Sequence, residues 1–353
     1  MDRLKIALTS TPLLDCPPKS YGGLELIAYL QAKGLAERGH KVVLFAPDDS
    51  MTPPNAFLYK TGKALSTVNV NWLEAEDKMY QKIDPCLKDF SIVHSNDWFG
   101  FNYRSKSQNP ELKCTHTHHG HLSPDWWHKT PSPFKLNMIA ISEHMKRLYE
   151  SGYNGQVRGI SSEVCYNGID LSMYPPKKDK GDRLLFLGRI DPIKGPHTAI
   201  QVAEMSETPI DIVGATEFVA NRQYVEEIRV KCSQSQYARF VGEVSHEEKV
   251  RYLQNAKALV ACSTFSEPFG LHFVETLACG TPVVTTDDGA AKEIITQNVG
   301  FISNNLNELV DAVEKLNTLS SSDCVERAKS FSYQRMAERL ETLYGRILSG
   351  DEW

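Results

Sequence analysis

The sequence predicts an α/β protein built from two doubly wound, Rossmann-like parallel-sheet domains facing each other across a cleft. Three observations predict it. At 353 residues the chain exceeds what one compact core usually encloses. Strand-length apolar runs alternate with longer stretches whose apolar residues recur at helical spacing. That alternation falls into two series, separated by the proline- and lysine-rich segment MYPPKKDKGD, the expected linker.

The first series opens with LKIALTS as a buried strand, GLELIAYLQAKGLAERG as an amphipathic helix stopped by Gly39, and HKVVLFAP as a second buried strand. This is one β-α-β unit. FSIVHSND, KCTHTHH and MIAIS continue as strands, the last running into the helix EHMKRLYESG with Ser142 as its N-cap. The second series begins at RLLFLGRI. HTAIQVAEMS, YVEEIRVKCS and FGLHFVETLACG read as helices, and IDIVG, ARFVGEV, KALVACST, PVVTTDD and VGFIS as strands. SHEEKVRYLQNA opens with Ser245 and has Glu248 three residues on, a capping box. The expected divisions are residues 1–172, 173–331 and a terminal helix, 332–353, returning to the first domain. Ligands are expected at the carboxyl ends of the strands.

Composition narrows the function. No apolar run approaches the ~20 residues that cross a bilayer, and the first residues read as a strand rather than a signal peptide, so a cytoplasmic protein is expected. The eight cysteines form no C-x-x-C pair; reduced, mostly buried thiols are expected. The first 172 residues carry 19 Lys and Arg against 18 Asp and Glu, the rest 20 against 26, which leaves no basic footprint for nucleic acid.

No two glycines lie two positions apart and no G-K-[ST] occurs, which excludes the dinucleotide fingerprint and the P-loop. There is no D-x-D pair to hold a divalent metal on a diphosphate. An anion must therefore be held by protein groups alone. FLGRIDPIKG places Arg189 and Lys194 after a buried strand, a guanidinium and an ammonium suited to one diphosphate; two solvated surface cations are the alternative. In STFSEPFGLHFVETLACGTPVV, Pro268 and Gly270 turn the chain into a helix whose first amides favour an anionic or hydroxyl-rich ligand. Glu267 and Glu275 flank that start. Eight positions at helical rise come to roughly 12 Å, beyond the ~5 Å or ~6.5–9.5 Å of glycosidase carboxylate pairs, so the two suit different parts of one long ligand.

These glutamates within EPFGLHFVETLACGTPVV, with GRIDPIKG, YNGID and the early YGGLE, resemble family 4 of the retaining glycosyltransferases, which have the GT-B fold. The similarity spans nearly the whole chain. It implies a transferase that moves a hexosyl group from a UDP- or GDP-sugar to an acceptor hydroxyl, with no cofactor or metal beyond the nucleotide-sugar co-substrate. Arg189 and Lys194 resemble the pair that holds the diphosphate, and Glu267 the glutamate facing the donor sugar, supported by amides around Phe269, Gly270 and Leu271. Glu275 resembles the acceptor of the ribose hydroxyls, and Gly22 and Gly23 the glycine pair that permits close approach of a ligand. The acceptor could be carbohydrate, lipid-linked or a small molecule. A GT-B sugar-nucleotide epimerase and a non-catalytic nucleotide-sugar-binding subunit share the architecture and remain alternatives.

HTHHGH, His116 to His121, looks at first like a metal site. His116 and His118 would instead share one face of a strand, with His119 turning at its end. The resemblance gives His119 the donor sugar and leaves His118 as a rival; no metal is expected. Asp97 is a further polar group expected in the cleft. Asn167 and Asp170 could touch ligand or simply fix a turn. The loop SPDWWHKTPSPFK, with Trp126, Trp127 and Phe134, could line the acceptor site or touch a membrane surface; packing on its own domain is the plainer reading.

Overall fold

The computed structural model describes residues 3–19, 22–65, 69–121, 137–155, 159–216 and 221–353. The chain divides into two compact units, Met1–Gly168 with Tyr333–Trp353, and Ile169–Ser332. Among the described residues no helix is long and apolar enough to cross a membrane.

In the first unit the strands are β1 (Lys5–Thr9), β2 (Lys41–Ala46), β3 (Phe57–Lys60), β4 (Ile92–Ser95), β5 (Cys114–His118), β6 (Met138–Ala140) and β7 (Ser162–Val164). They form one parallel sheet in the order β3-β2-β1-β4-β5-β6-β7. The chain winds outward from β1 and then returns past it to β4, so the topological switch point falls where β1 and β4 end. Apolar continuity in LKIALTS and HKVVLFAP follows from this: strands covered on both faces need apolar side chains on both. The exposed edge strand β3 and the helix Trp72–Leu87 were not anticipated. β3 has no buried residue to betray it. The helix carries Pro85 in its last turn, yet buries Ala75, Met79, Tyr80, Ile83 and Leu87 on one face.

The helix Tyr333–Leu348 lies on this first unit. Gly34 lets it approach the helix Gly23–Glu37, since a Cβ there would stand 2.7 Å from the Ala337 methyl. Arg339 and Arg346 both bind Glu163, at 2.9 and 2.8 Å, and Tyr344 meets the His94 ring at 2.6 Å.

The second unit holds β8 (Leu184–Leu187), β9 (Ile210–Val213), β10 (Ala238–Gly242), β11 (Leu259–Ala261), β12 (Val283–Thr285) and β13 (Gly300–Ile302), again all parallel, in the order β10-β9-β8-β11-β12-β13. Its turnaround falls between β8 and β11. Side chains such as Phe186, Ile212, Val260 and Val284 form the core beneath it.

The division differs from the expected 172/173. Ile169 already belongs to the second unit because it bridges Ser332, its amide donating to the Phe331 carbonyl at 2.9 Å. Residues 173–182 are likewise no free linker. Lys177 N donates to the Cys279 carbonyl (3.1 Å), Gly181 N to Asn255 O (2.8 Å), and Lys180 Nζ to both Gln254 O (3.2 Å) and Cys279 O (2.7 Å). Helix C-termini leave carbonyls unpaired, and this strap of donors satisfies those of His246–Asn255 and Leu271–Ala278.

Candidate functional site

The turnaround of the second unit gathers its chemistry. After β8 the chain passes Arg189 and turns at Asp191, whose carboxylate caps the 3-10 turn Pro192–Lys194 through Ile193 N at 3.2 Å. Gly195 closes the turn at φ 69°, and any Cβ there would collide with the Cys262 carbonyl. The turn is therefore pressed onto the end of β11: Thr264 N and Ser263 Oγ both donate to Ile193 O, at 2.9 and 3.0 Å. The outcome is specific. Lys194 Nζ forms an ion pair with the buried Glu267 carboxylate and lies 4.7 Å over the Phe265 ring. Glu267 is held by its backbone, since Ala290 N donates to its carbonyl at 2.9 Å and Gly289 admits no side chain beside it.

Phe269 is buried edge-on against Phe331. Gly270, at φ 93°, is the N-cap of the helix Leu271–Ala278, and a Cβ would meet the Phe273 ring at 2.5 Å. Among the described residues no side chain caps that helix start, and its positive end suits an anionic ligand. One turn on, Glu275 is buried. Its Oε1 accepts from Tyr174 OH at 2.6 Å and from Lys249 Nζ at 2.9 Å. Burial alone would push this carboxyl up, but Lys249, helped by the tyrosine hydrogen bond, holds it below the usual carboxylate range. His272, beside Glu267 and Lys194, is pushed down, mainly by burial.

In the first unit Gly22 is the N-cap of the helix Gly23–Glu37, and a Cβ would stand 2.8 Å from the Pro18 ring. Gly23 begins the helix. Two residues on, buried Glu25 accepts from Thr11 Oγ1 at 2.6 Å, and burial raises its carboxyl. Asp97 is engaged within the unit: Oδ2 accepts from Tyr80 OH (2.7 Å) and Thr9 Oγ1 (3.1 Å), Oδ1 from Gly100 N (2.6 Å). It ties the ends of β1 and β4 and fixes the turn after β4.

His116, His118 and His119 belong to a hydrogen-bonded network that burial keeps neutral. His116 Nδ1 pairs with Ser95 Oγ (2.8 Å) and its Nε2 faces His118 across 3.3 Å, while Thr117 on the opposite face meets His94 at 2.7 Å. Burial pushes His116 down to about 3 and His118 and His94 well below their ordinary value. His118 is enclosed by His116, Trp98 and Tyr149. His119, the first residue past β5, keeps partial exposure. Asn96 gives its Nδ2 to Gln31 Oε1 (2.8 Å) and so presents Oδ1 to His119 Nε2 at 2.9 Å. Nε2 then carries the ring proton and Nδ1 the lone pair. Burial, then the neighbouring His118 and His116, depress His119 to about 3. Among the described residues no three His, Cys, Asp or Glu side chains converge as metal ligands.

Ser142 caps its helix through Met145 N at 3.1 Å, and Asp170 caps the turn Leu171–Met173 through Ser172 N at 3.1 Å. Trp126, Trp127 and Phe134 lie outside the described residues. Tyr174, Lys249, Asn96 and Gln31 were not singled out by sequence reasoning. Their partners lie 101, 26, 23 and 65 positions away, and no local pattern encodes such pairings.

Two family profiles together span most of the chain. One described as Glycosyltransferase Family 4 matches residues 21–173, and one described as Glycosyl transferases group 1 matches 173–335. Spore coat protein SA of Bacillus subtilis is 23% identical, covering 97% of this chain and 99% of that protein. D-inositol 3-phosphate glycosyltransferase of Mycobacterium leprae is also 23% identical, over 97% and 92%. Among solved structures, AviGT4, a glycosyltransferase involved in avilamycin A biosynthesis, superposes with a TM-score of 0.75 at 23% identity, over 99% of both chains. Anabaena HepE in complex with UDP-glucose superposes at 0.72 and 17% identity, over 97% of this chain and all of that one.

Proposed function

Because the chain belongs to the group 1, family 4 glycosyltransferases and has their GT-B fold, we propose that it transfers a hexosyl group from a UDP- or GDP-sugar to an acceptor hydroxyl, with retention and without a metal. The observation that carries the reading is the second unit's turnaround, where Gly195 seats Lys194 beside Glu267 at the end of β11. An ammonium there, with Arg189 on the same turn, suits a diphosphate, while Glu267 faces the sugar and Glu275 the ribose. HepE, of the same fold, holds UDP-glucose.

In the proposed step the bond from the anomeric carbon to the diphosphate oxygen breaks with its electrons leaving on the phosphate. The acceptor oxygen bonds the same face of that carbon, and its proton passes to the departing phosphate. Negative charge grows on the leaving group, so fixed cations such as Lys194 and Arg189 are worth more in the transition state than in the ground state. His119, neutral and oriented by Asn96, suits a hydrogen bond to a sugar hydroxyl rather than a charge contact. Gly22 and Gly23, at the first unit's helix start, would let a ligand approach the backbone closely. The cytoplasmic setting expected from the sequence accords with a nucleotide-sugar donor.

The test is a donor screen followed by product analysis. Purified protein is incubated with UDP-, GDP- and ADP-sugars, with and without EDTA, and the anomeric configuration of the product is read by proton NMR. Inversion, or activity abolished by EDTA and restored by a divalent ion, would overturn the mechanism. An isomerised sugar nucleotide formed without acceptor would favour the epimerase instead.

A further inference from the structure

The setting of Glu275 in the proposed donor site is built from three separate segments. It sits on the helix Leu271–Ala278; Lys249 reaches it from the helix His246–Asn255; Tyr174 reaches it from the strap that precedes β8. Both donors fall on the same carboxylate oxygen, Oε1. They also touch each other, with Lys249 Nζ 3.3 Å from the Tyr174 hydroxyl and 5.4 Å over its ring. Oε2 accepts from no described residue, and it is not among the buried atoms sealed away without a partner.

A buried carboxylate without compensation would take up a proton and become a hydrogen-bond donor itself. The ammonium opposes that. The phenol adds direction: fixing Oε1 between two donors sets the plane of the carboxylate and leaves Oε2 as its free acceptor. Tyr174 is itself restrained, since the turn Leu171–Met173 precedes it, capped by Asp170, and the His246 ring lies edge-on 5.4 Å from its own. Burial, then Glu275, raises the tyrosine hydroxyl far above its ordinary value, so it remains a donor across any working pH. A carboxylate oxygen held in a fixed plane offers two lone pairs, enough to accept from two neighbouring hydroxyls.

We propose that Tyr174 and Lys249 are positioning residues that hold Glu275 ionised and aim its Oε2 at the ribose hydroxyls of the donor nucleotide, making the site selective for ribonucleotides over nucleotides lacking those hydroxyls. This deepens the ribose reading of Glu275 and rests on it. Neither residue need touch the ligand.

The experiment measures, by calorimetry on the full chain, dissociation constants for UDP, GDP and ADP and for their 2′,3′-dideoxy counterparts. The best-binding base is then carried through Tyr174→Phe, Lys249→Met, Lys249→Arg and Glu275→Ala. The wild type should prefer the ribonucleotide by about tenfold or more, the usual worth of hydrogen bonds to a charged acceptor. Tyr174→Phe and Lys249→Met should each bring that ratio down severalfold by weakening the ribonucleotide selectively, and Lys249→Arg should restore much of it. If Tyr174→Phe weakens both nucleotides equally, or leaves the ratio intact while Glu275→Ala abolishes it, the positioning role is wrong and the ribose contact stands. Should the wild type show no preference, or Glu275→Ala keep it, the ribose contact itself is absent and both ideas fall. Thermal unfolding of each variant separates loss of fold from loss of selectivity.

Discussion

At the end of β5, burial keeps His116 and His119 unprotonated, and they settle into hydrogen bonds with Ser95 and Asn96. In the helix after β11 the same burial acts on Glu275, but Lys249 reaches it and reverses the outcome. The two regions thus meet one physical force and differ in whether a countercharge arrives. The first unit offers a neutral polar surface, suited to hydroxyls. The second offers paired charges, suited to an anion that can exchange for or share a partner.

That contrast can be broken most sharply at Lys194. Lys194→Ala should lower turnover on the order of 10²-fold, the scale of losing one donor to a developing oxyanion; near-normal kcat would mean that Lys194 does not stabilise the leaving group. Glu275→Ala should weaken nucleotide diphosphate binding about tenfold, read as a raised Kd by calorimetry, whereas an unchanged Kd would make the carboxylate structural.

The neutral region is sharpened by pH. His116 has its folded value near 3 and an ordinary value of 6.5. Above the ordinary value neither state is protonated and stability is whole. As pH falls from there towards 3 the unfolded chain takes up the proton first, so stability is lost on acidification, roughly 1.4 kcal/mol per pH unit for this histidine. Urea unfolding at pH 5.5 and 4.5 should show that fall, with His94, His118 and His119, depressed the same way, adding to it, and His116→Gln should lessen it by one histidine's share; an unaltered slope would place the titrating group elsewhere. The smallest effect is expected at Ser245, which accepts from Glu248 N at 3.3 Å to start the helix carrying Lys249. Ser245→Ala should cost about 1 kcal/mol of stability, read by urea unfolding, with nucleotide affinity unmoved; a loss of affinity would mean the cap itself aims Lys249.

Much of the architecture could be read before folding was considered. LKIALTS, HKVVLFAP and IDIVG announce buried parallel strands because both their faces must be apolar, and Ser245 and Glu248 announce a helix start because their bonds span three residues. Phe57–Lys60 escaped because an exposed edge strand has no need of an apolar pattern. Reading MYPPKKDKGD as a linker rested on its prolines and lysines, yet Lys180 lies against helix ends 74 and 99 residues away.

The candidate residues divide the same way. Arg189, Lys194, Glu267 and Glu275 stand out in the chain because their motifs are local, with glycines such as Gly195 and Gly270 where only a turn free of Cβ can pass. What the amino-acid order determined by itself was thus the periodicity, the turns and the short-range caps, all set by bonds a few residues long. The choice of partners was decided by the tertiary structure alone: Lys249 and Tyr174 on Glu275, Asn96 on His119, Tyr80 on Asp97. Those pairings depend on which strand ends the sheet order brings side by side, and the charge each buried group carries depends in turn on the partner it finds there.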